Sequence, residues 1–357
     1  MTTSLASHAP SGARIIDSPA PDTALDPRTD RARHGTYRGA LHSCDLSALR
    51  PSALSRLVRE KRWVYVTFVR APWMISLAIV DLGYAQTVFG FAHHETRGLV
   101  ADLRSTPGLP GLSRVRQDGV HRIDAQLRGA RARASIRERR GEGLLEVRAS
   151  TPQLEIRASL DLRAAAPALT AIAPIRGGTV DVTEKQVLAP VRGAALAMGE
   201  RIDLDGGLGG FDFTVGLLAR ETRWNWAFLM GATDAGEPVA LNLVEGFVGP
   251  PECALFGASS LHALSEGRFT LPAARRPGES LGDRARHLEP WQVRTADGEC
   301  DLVFTPRAVH DEALDLGLVR SRFVQPIGSF AGTIRRGEET LRISHALGVV
   351  EDQDVRW

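Results

Sequence analysis

Apolar and polar residues alternate along much of the chain after residue 62. Residues 63–69 are aromatic or β-branched, and several segments within residues 119–161 alternate apolar side chains with Arg or Glu. A period of two places the apolar side chains on one face of a strand and the charged ones on the other. Turn signals such as Asp118-Gly119 separate these segments. The pattern predicts an antiparallel β-meander with one face exposed to water.

A second series of strand-like segments follows residue 212. The segments cover residues 220–232, 237–248, 254–264, 268–271, 291–295, 301–305, 314–325 and 329–335. Gly-containing triplets at residues 234–236 and 296–298 predict hairpin turns between them. Short strands without an intervening helical period are typical of barrels and sandwiches. We therefore predict an all-β chain with two antiparallel β-barrel or β-sandwich halves.

The N-terminal region differs from this pattern. Apolar residues at helical spacing within residues 45–62 predict a short helical segment, interrupted near Pro51. Residues 1–34 are rich in Ala, Pro, Ser, Asp and Arg, and we expect a disordered tail. The glycine-rich stretch 206–210 is a candidate joint. We predict an N-terminal β domain at residues 35–200 and a C-terminal β-barrel domain at residues 201–357.

Composition narrows the class of protein. The chain has 357 residues, 43% hydrophobic and 24% charged, and a net charge of only +2, so no global field attracts nucleic acid or an anionic membrane. No run of 18 apolar residues and no secretory signal is present, so we expect neither integral membrane association nor export. Three widely spaced cysteines predict reduced thiols and a cytoplasmic location.

Motifs for cofactors and metals are missing from the sequence. There is no phosphate-binding or dinucleotide-binding glycine loop, no Gly-x-Ser-x-Gly elbow and no Cys-x-x-Cys pair. His93 and His94 are adjacent on a strand and point to opposite faces. We predict no cofactor and no metal site.

Glu245 lies on an otherwise apolar face of its predicted strand. Val239, Leu241, Leu243 and Phe247 share this face. Burial disfavours the charged carboxylate and raises its pKa, which keeps a proton available near neutral pH. Glu245 is therefore our candidate catalytic proton donor. The alternatives are a buried ion pair with an arginine and a strand end where the face is already wet.

Two tryptophans share one face of the preceding strand. Trp224 and Trp226 either line a pocket for a large apolar ligand or pack in the core. Asn225 lies on the opposite face. The predicted hairpin brings Asn225, Asn242 and Glu245 close together, unless the alternation separates them by face. Trp224, Asn225, Trp226 and Asn242 are candidate ligand-binding residues.

Three further candidates come from residues 314–325. Arg320 and Arg322 follow three leucines at alternate positions, and Gln325 ends the segment. Such a face either enters a polar cavity, where guanidinium groups bind an anionic or carbonyl group, or runs out to solvent. We predict Arg320, Arg322 and Gln325 as ligand-binding residues.

Lys185 is one of only two lysines in the chain. A lysine is ordinarily at the surface, but we include Lys185 among the candidate ligand-binding residues. Glu351 and Asp352 could add acid groups to a site, although residues near a chain end are usually solvated.

Several motifs together resemble the bacterial family catalogued as domain of unknown function 2804. The resemblance covers nearly everything after about residue 35. Its matching segments are 61–65, 81–84, 183–185 with 191–193, 223–227, 241–247, 317–328 and 348–352, with the terminal Trp357. This family is similar in layout to two-domain lipocalin-like proteins, which include carotenoid 1,2-hydratases and tocopherol cyclases.

The resemblance implies a lipocalin-like architecture with a pocket for a small apolar molecule. A lipid- or isoprenoid-like ligand is the first expectation. An alternative is an acid-catalysed hydratase, cyclase or isomerase, with Glu245 as proton donor. A third hypothesis is a structural or interaction protein whose halves are filled by side chains, since small barrels can be packed solid. We expect a small-molecule partner, no nucleic acid, and make no prediction of the oligomeric state.

Overall fold

The computed structural model describes residues 15–16, 19–49, 52–109, 111–270, 286–315, 317 and 319–357. In these residues the fold is mostly β, with two curled antiparallel half-barrel sheets and one short α-helix near the N-terminus. The predicted fold class is therefore confirmed. No helix in the described ranges is both long and apolar enough to cross a bilayer.

The first sheet contains 15 strands within the described part of the chain, in the central order β6-β5-β4-β3-β15-β13-β11-β10-β9-β8-β7. Its strands are β1 (Ile15–Ile16), β2 (Gly35–Arg38), β3 (Glu60–Arg70), β4 (Trp73–Asp81), β5 (Gln86–His94), β6 (Gly98–Pro107), β7 (Arg114–Arg116), β8 (His121–Arg128), β9 (Arg133–Arg139), β10 (Leu144–Ser150), β11 (Leu154–Asp161), β12 (Leu169–Pro174), β13 (Val180–Ala197), β14 (Glu200–Asp203) and β15 (Leu208–Leu217). The pair β1–β2 is parallel.

The second sheet has nine strands in the described ranges, in the order β19-β18-β17-β16-β24-β23-β22-β21-β20. They are β16 (Glu221–Ala232), β17 (Pro238–Gly246), β18 (Ala254–Gly257), β19 (Leu261–Ala263), β20 (Gly267–Thr270), β21 (Trp291–Thr295), β22 (Cys300–Asp315), β23 (Arg320–Arg336) and β24 (Glu339–Arg356). The α-helix is α1 (Ala53–Arg59), and 3-10 turns cover Ser47–Leu49, Pro250–Glu252 and Arg286–Leu288.

The predicted meander is confirmed where one sheet face is wet. In β10 the apolar side chains are buried and the alternating polar ones are exposed. The long strand β13 behaves differently, because its first ten residues are buried on both faces. One face of β13 contacts the interior of the first sheet, and the other faces the second sheet. Alternation therefore distinguishes core from surface in the meander but not at the junction of the sheets.

Two predicted strands, residues 254–264 and 314–325, are wrong. The first is a hairpin, in which β18 and β19 pair antiparallel. In the second, the chain ends β22 at Asp315, turns, and begins β23 at Arg320, which lies opposite Asp315 in the antiparallel register. Gly317 has φ 76°, and its N–H donates a 2.9 Å hydrogen bond to Asp315 Oδ1. The alternating leucines match a strand pattern, so alternation alone did not predict this turn. Leu316 and Leu318 lie outside the described residues, and Leu314 is exposed.

The predicted hairpin turns at residues 234–236 and 296–298 are confirmed. Gly236 and Gly298 have φ 83° and 74°, which the glycine backbone adopts without a Cβ clash. The first turn joins β16 to β17, and the second joins β21 to β22.

Two large apolar clusters form the cores. The first lies within the first sheet. The second fills the second sheet and also includes residues of the first, among them Tyr65, Met74 and Phe91. Trp63 stacks on Trp224 across the junction, with ring centroids 6.4 Å apart. The sheets therefore share a packed interface.

The ends of the predicted units can be compared with the sheets. Residues 1–14 and 17–18 of the predicted tail lie outside the described residues, whereas Ala24 and Leu25 are buried in the first core. The first sheet ends at Leu217 and the second begins at Glu221, because β14 and β15 both pair with β13. The division at residue 200 stays a prediction.

Candidate functional site

A buried lysine and three carboxyl groups lie where the sheets meet. Lys185 of β13 stands opposite Asp212 of β15 and forms an ion pair with it, and its Nζ is 3.1 Å from Glu252 Oε2. Burial alone lowers the pKa of Lys185, but the two carboxylates outweigh it and raise that pKa. The nearby Asp181 is buried with no hydrogen-bond partner for either oxygen in the described structure. Burial, together with the charge of Glu252, raises the pKa of Asp181 well above its usual range.

A hydrogen-bonded chain links this cluster to the second sheet. Trp226 Nε1 donates to Asn242 Oδ1 at 2.7 Å, and Asn242 Nδ2 donates to the backbone oxygen of Glu252 at 2.8 Å. The two bonds fix the orientation of the Asn242 amide. Tyr65 of the first sheet meets Trp226 edge-on, with ring centroids 5.5 Å apart. The hydrogen-bonded amide of Asn242 and the rings of Tyr65 and Trp226 therefore hold these polar groups in position.

Glu351 of β24 is a further buried acid, on the face of the second sheet that meets the first. Its carboxylate accepts hydrogen bonds from Trp224 Nε1 at 2.7 Å and from Gln325 Nε2 at 3.1 Å. Burial raises the pKa of Glu351 to about 7, although these two hydrogen bonds lower it and the charge of Asp212 adds to the rise. Near neutral pH this carboxyl group therefore exists in both the protonated and the ionised form.

A small cavity lies beside the Lys185 cluster. It is lined by Tyr65, Thr67, Lys185, Val187, Gly210, Phe211, Asp212, Trp226, Phe228, Asn242 and Phe256. The space that the centre of a water molecule can occupy is about 10 Å³, so the cavity has room for about one water. A larger occupant requires side chains of this lining to move.

Strand alternation divides the predicted site residues into two sets. Trp224, Trp226, Asn242 and Gln325 point toward the first sheet, where Lys185 faces them. The other set is Asn225, Glu245 and Arg322. These three point to the opposite face of the second sheet, since Asn225 pairs in register with Glu245 and with Asp352, the carboxylate that Arg322 contacts. Arg320 is exposed beside the β22–β23 turn. The structure thus brings together five of the nine candidates.

Glu245 lies near the end of β17, one residue before Gly246. Its side chain is 31% exposed, and Oε1 is 3.5 Å from Arg268 Nη1. Oε2 accepts the backbone N–H of Phe269 at 2.9 Å. Glu245 thus contacts an arginine, a backbone N–H and solvent. This environment differs from the dry one that we expected for a proton donor. The catalytic role of Glu245 stays a prediction.

The sequence analysis passed over three functional candidates, Tyr65, Asp212 and Glu252, and named Glu351 only as an acid group that could join a site. Asp212 carried a usable signal, because it is an acidic residue that follows a glycine-rich run inside a strand. Tyr65 and Glu252 gave none, since a tyrosine in a strand and a glutamate after two prolines are common at the surface. In the described residues no three His, Cys, Asp or Glu side chains are placed to hold a metal ion.

Comparisons with known proteins agree with this architecture. The family model described as "Domain of unknown function (DUF2804)" matches residues 18–357. A crystal structure of CghA with Sch210972 has a TM-score of 0.54, and a second crystal structure of CghA has a TM-score of 0.55. They are 13% and 12% identical to the chain, over 84% and 83% of its length and 88% of CghA.

A crystal structure of kievitone hydratase from Nectria haematococca has a TM-score of 0.49 and 13% identity, over 86% of this chain and 94% of that one. At 13% and 12% identity, the likeness to CghA shows the fold alone. Comparison with curated protein sequences gives no match. The resemblance predicted from the sequence motifs is confirmed by the family match.

Proposed function

The chain belongs to the family of domain of unknown function 2804, and we propose that it binds a small apolar molecule between its two sheets. The ligand we infer has a lipid- or isoprenoid-like body and one polar group. Tyr65, Trp226 and Phe228 hold the body, and Lys185 with Asn242 binds a carbonyl or hydroxyl oxygen. The crystal structure of CghA with Sch210972 supports the idea that this fold accommodates a ligand.

The observation that carries the proposal is the burial of convergent polar groups beside aromatic rings. Burying Lys185 with Asp212, Glu252 and Asp181 is costly, and apolar residues of similar volume would often stabilise a protein as well or better. Perturbed titratable groups in a cleft are candidates for function. A few polar groups within an apolar lining also describe most ligand sites.

The size of the cavity sets a condition on binding. Because it has room for about one water, an apolar ligand must displace Phe228, Phe256 or Trp226 from their present positions. Binding is then coupled to a rearrangement of the lining, and the ligand must offset its cost. The three cysteines are buried free thiols, which supports a reducing, cytoplasmic location.

A ligand-binding test uses native mass spectrometry of the purified protein, followed by thermal shifts with fatty acids, retinol and geranylgeraniol. Val187→Leu adds one methylene group beside the one-water cavity and is expected to weaken binding at least about tenfold, the effect of losing about 1.4 kcal/mol. Val303→Leu, at an exposed position of the second sheet, is the matched control. If no species is bound and no shift occurs, the proposal fails and a structural role is favoured.

A second candidate function is acid catalysis, which the raised pKa of Glu351 favours. Glu351 would donate its proton to one carbon of a double bond, leaving the other carbon cationic beside the Trp224 and Trp226 rings. Addition of water to the cation, with loss of one water proton to the Glu351 carboxylate, gives hydration. Attack by a second double bond forms a ring and a new cation, which loses a neighbouring proton to the carboxylate and gives cyclisation. Direct return of a neighbouring proton from the first cation to the carboxylate gives isomerisation.

This candidate is tested by comparing Glu351→Gln with Glu245→Gln once a convertible substrate is found. Loss of turnover only in Glu351→Gln assigns the proton donor to the face between the sheets. Loss only in Glu245→Gln assigns it to the residue that the sequence pattern predicted, on the opposite face.

A further inference from the structure

Four turns of the first sheet are far apart in sequence but lie side by side at the same end of their strands. We call this end of the sheet the tip and define it as residues 108–109, 111–113, 129–132, 151–153 and 198–199. The backbone N–H of Leu109 donates to Arg128 O at 2.7 Å, and that of Met198 donates to Gln153 O at 3.0 Å. The registers of β8 to β11 and of β13 align the remaining turns between these two bonds.

Large apolar side chains project from the tip into solvent. Leu109 is 48% exposed, Leu112 is 52% exposed and Met198 is 65% exposed. Leu196, which precedes the last turn, is 36% exposed. Leu109 and Leu112 share the turn at one end of this row, and Leu196 and Met198 lie at the other end. Single exposed apolar residues need no explanation, but several of them along one row of turns are typical of a surface that contacts another apolar phase.

Arginines surround these apolar side chains. Arg128, Arg131, Arg133 and Arg157 are all exposed, and in the described part of the chain no carboxylate lies within ion-pair distance of them. The acidic residues near the tip are Glu155, opposite Ser150 and Leu196, and Glu200, which follows the last turn and forms an ion pair with Arg97.

Several arginines elsewhere in the first sheet form ion pairs with a carboxylate. Farther along β7 to β9, the buried Asp124 forms ion pairs with Arg114, Arg116 and Arg137 at 2.7, 2.9 and 3.1 Å. Arg131 at the tip and Arg128, Arg133 and Arg157 beside it therefore differ from these paired arginines, although the net charge of the chain is only +2.

We propose that the tip docks onto the surface of an anionic lipid bilayer. Arginine guanidinium groups bind lipid phosphates, and each basic residue near an anionic surface adds about 1 kcal/mol, or about fivefold in partitioning. Leu109, Leu112 and Met198 would enter the boundary between headgroups and acyl chains. A nucleic acid would use the arginines but has no use for aliphatic side chains at the ends of the turns. This inference is independent of the proposed ligand site.

The test measures co-sedimentation of the full chain with vesicles at about 0.1 M salt, where charges interact over about 10 Å. One set of vesicles is phosphatidylcholine alone, and the other is an equal mixture with phosphatidylglycerol. Soluble heparin serves as a polyanion without an apolar phase. The charge variant is Arg128→Gln/Arg131→Gln/Arg133→Gln, and the apolar variant is Leu109→Ser/Leu112→Ser.

The matched control is Arg307→Gln/Arg335→Gln/Arg342→Gln, three exposed arginines of the second sheet. All substituted positions are exposed, so circular dichroism should report an unchanged fold. We expect binding to the mixed vesicles, a loss on the order of 100-fold in the charge variant, and little change in the control. The apolar variant should lose vesicle binding but retain any binding to heparin.

Three results would overturn the proposal. The first is an absence of binding to the mixed vesicles. The second is an equal loss in the control, which would indicate general charge attraction. The third is unchanged vesicle binding in the apolar variant, which would assign the tip to a soluble polyanion or an acidic protein.

Discussion

Replacing Glu351 by glutamine should change how the stability of the protein depends on pH. In the folded protein Glu351 keeps its proton until about pH 7, whereas its ordinary pKa is 4.5. Between these values the folded state binds more protons than the unfolded state, so this residue lowers the free energy of unfolding as pH rises. A shift of this size corresponds to about 3 kcal/mol, at about 1.4 kcal/mol per pKa unit. The full cost is present above pH 7 and absent below pH 4.5.

Glutamine has nearly the same shape and does not titrate. In Glu351→Gln the side-chain oxygen still accepts from Trp224, and the amide can pair with Gln325 after that residue reverses its own amide. The variant should therefore gain stability relative to the wild type as pH rises from 4.5 to above 7, by about 3 kcal/mol in total.

Urea unfolding followed by circular dichroism at a series of pH values gives this difference directly. Glu245→Gln is the control, because a partly exposed ion pair with Arg268 contributes at most about 1 kcal/mol. A difference between Glu351→Gln and wild type that stays constant across the pH range would refute the reasoning, since it would mean that Glu351 is ionised in the folded protein as it is in water.

Two further predictions concern the same face. Lys185→Met should lower the free energy of unfolding by about 3–5 kcal/mol in urea, because it leaves buried carboxylates without their cation, and a loss like that of the exposed control Arg335→Met would contradict it. Trp224→Phe removes the indole donor that holds down the pKa of Glu351, so the pH at which stability levels off should move above 7, and an unmoved midpoint would show that the bond has no such effect.

The fold was predictable from alternation where the strands have one wet face. In β9 and β10 the buried and exposed positions follow the sequence alternation. The turn within residues 314–325 was not predictable from alternation, because the leucines continue the strand pattern up to and across Gly317. Gly317 is a residue type that favours turns, and its φ is positive in the structure.

The candidate site was harder to predict for a physical reason. Both faces of β17 are buried over most of its length, so the pattern could not show which face meets the first sheet. Glu245 stood on the face with more leucines, while Asn242 on the other face holds Trp226 and lines the cavity. Partners such as Asp212 and Lys185 are set by pairing between strands that are distant in sequence, which a single sequence does not reveal.

The central place of β24 in the second sheet affects how the protein must be made. β24 is hydrogen-bonded to β16 on one side and β23 on the other, yet it is synthesised long after β16. Until it emerges from the ribosome, β16 carries an unpaired edge, which is the kind of surface that recruits chaperones or aggregates. A product truncated before Glu339 would leave both neighbours exposed at once, while the strands of the first sheet would already have their hydrogen-bonded partners.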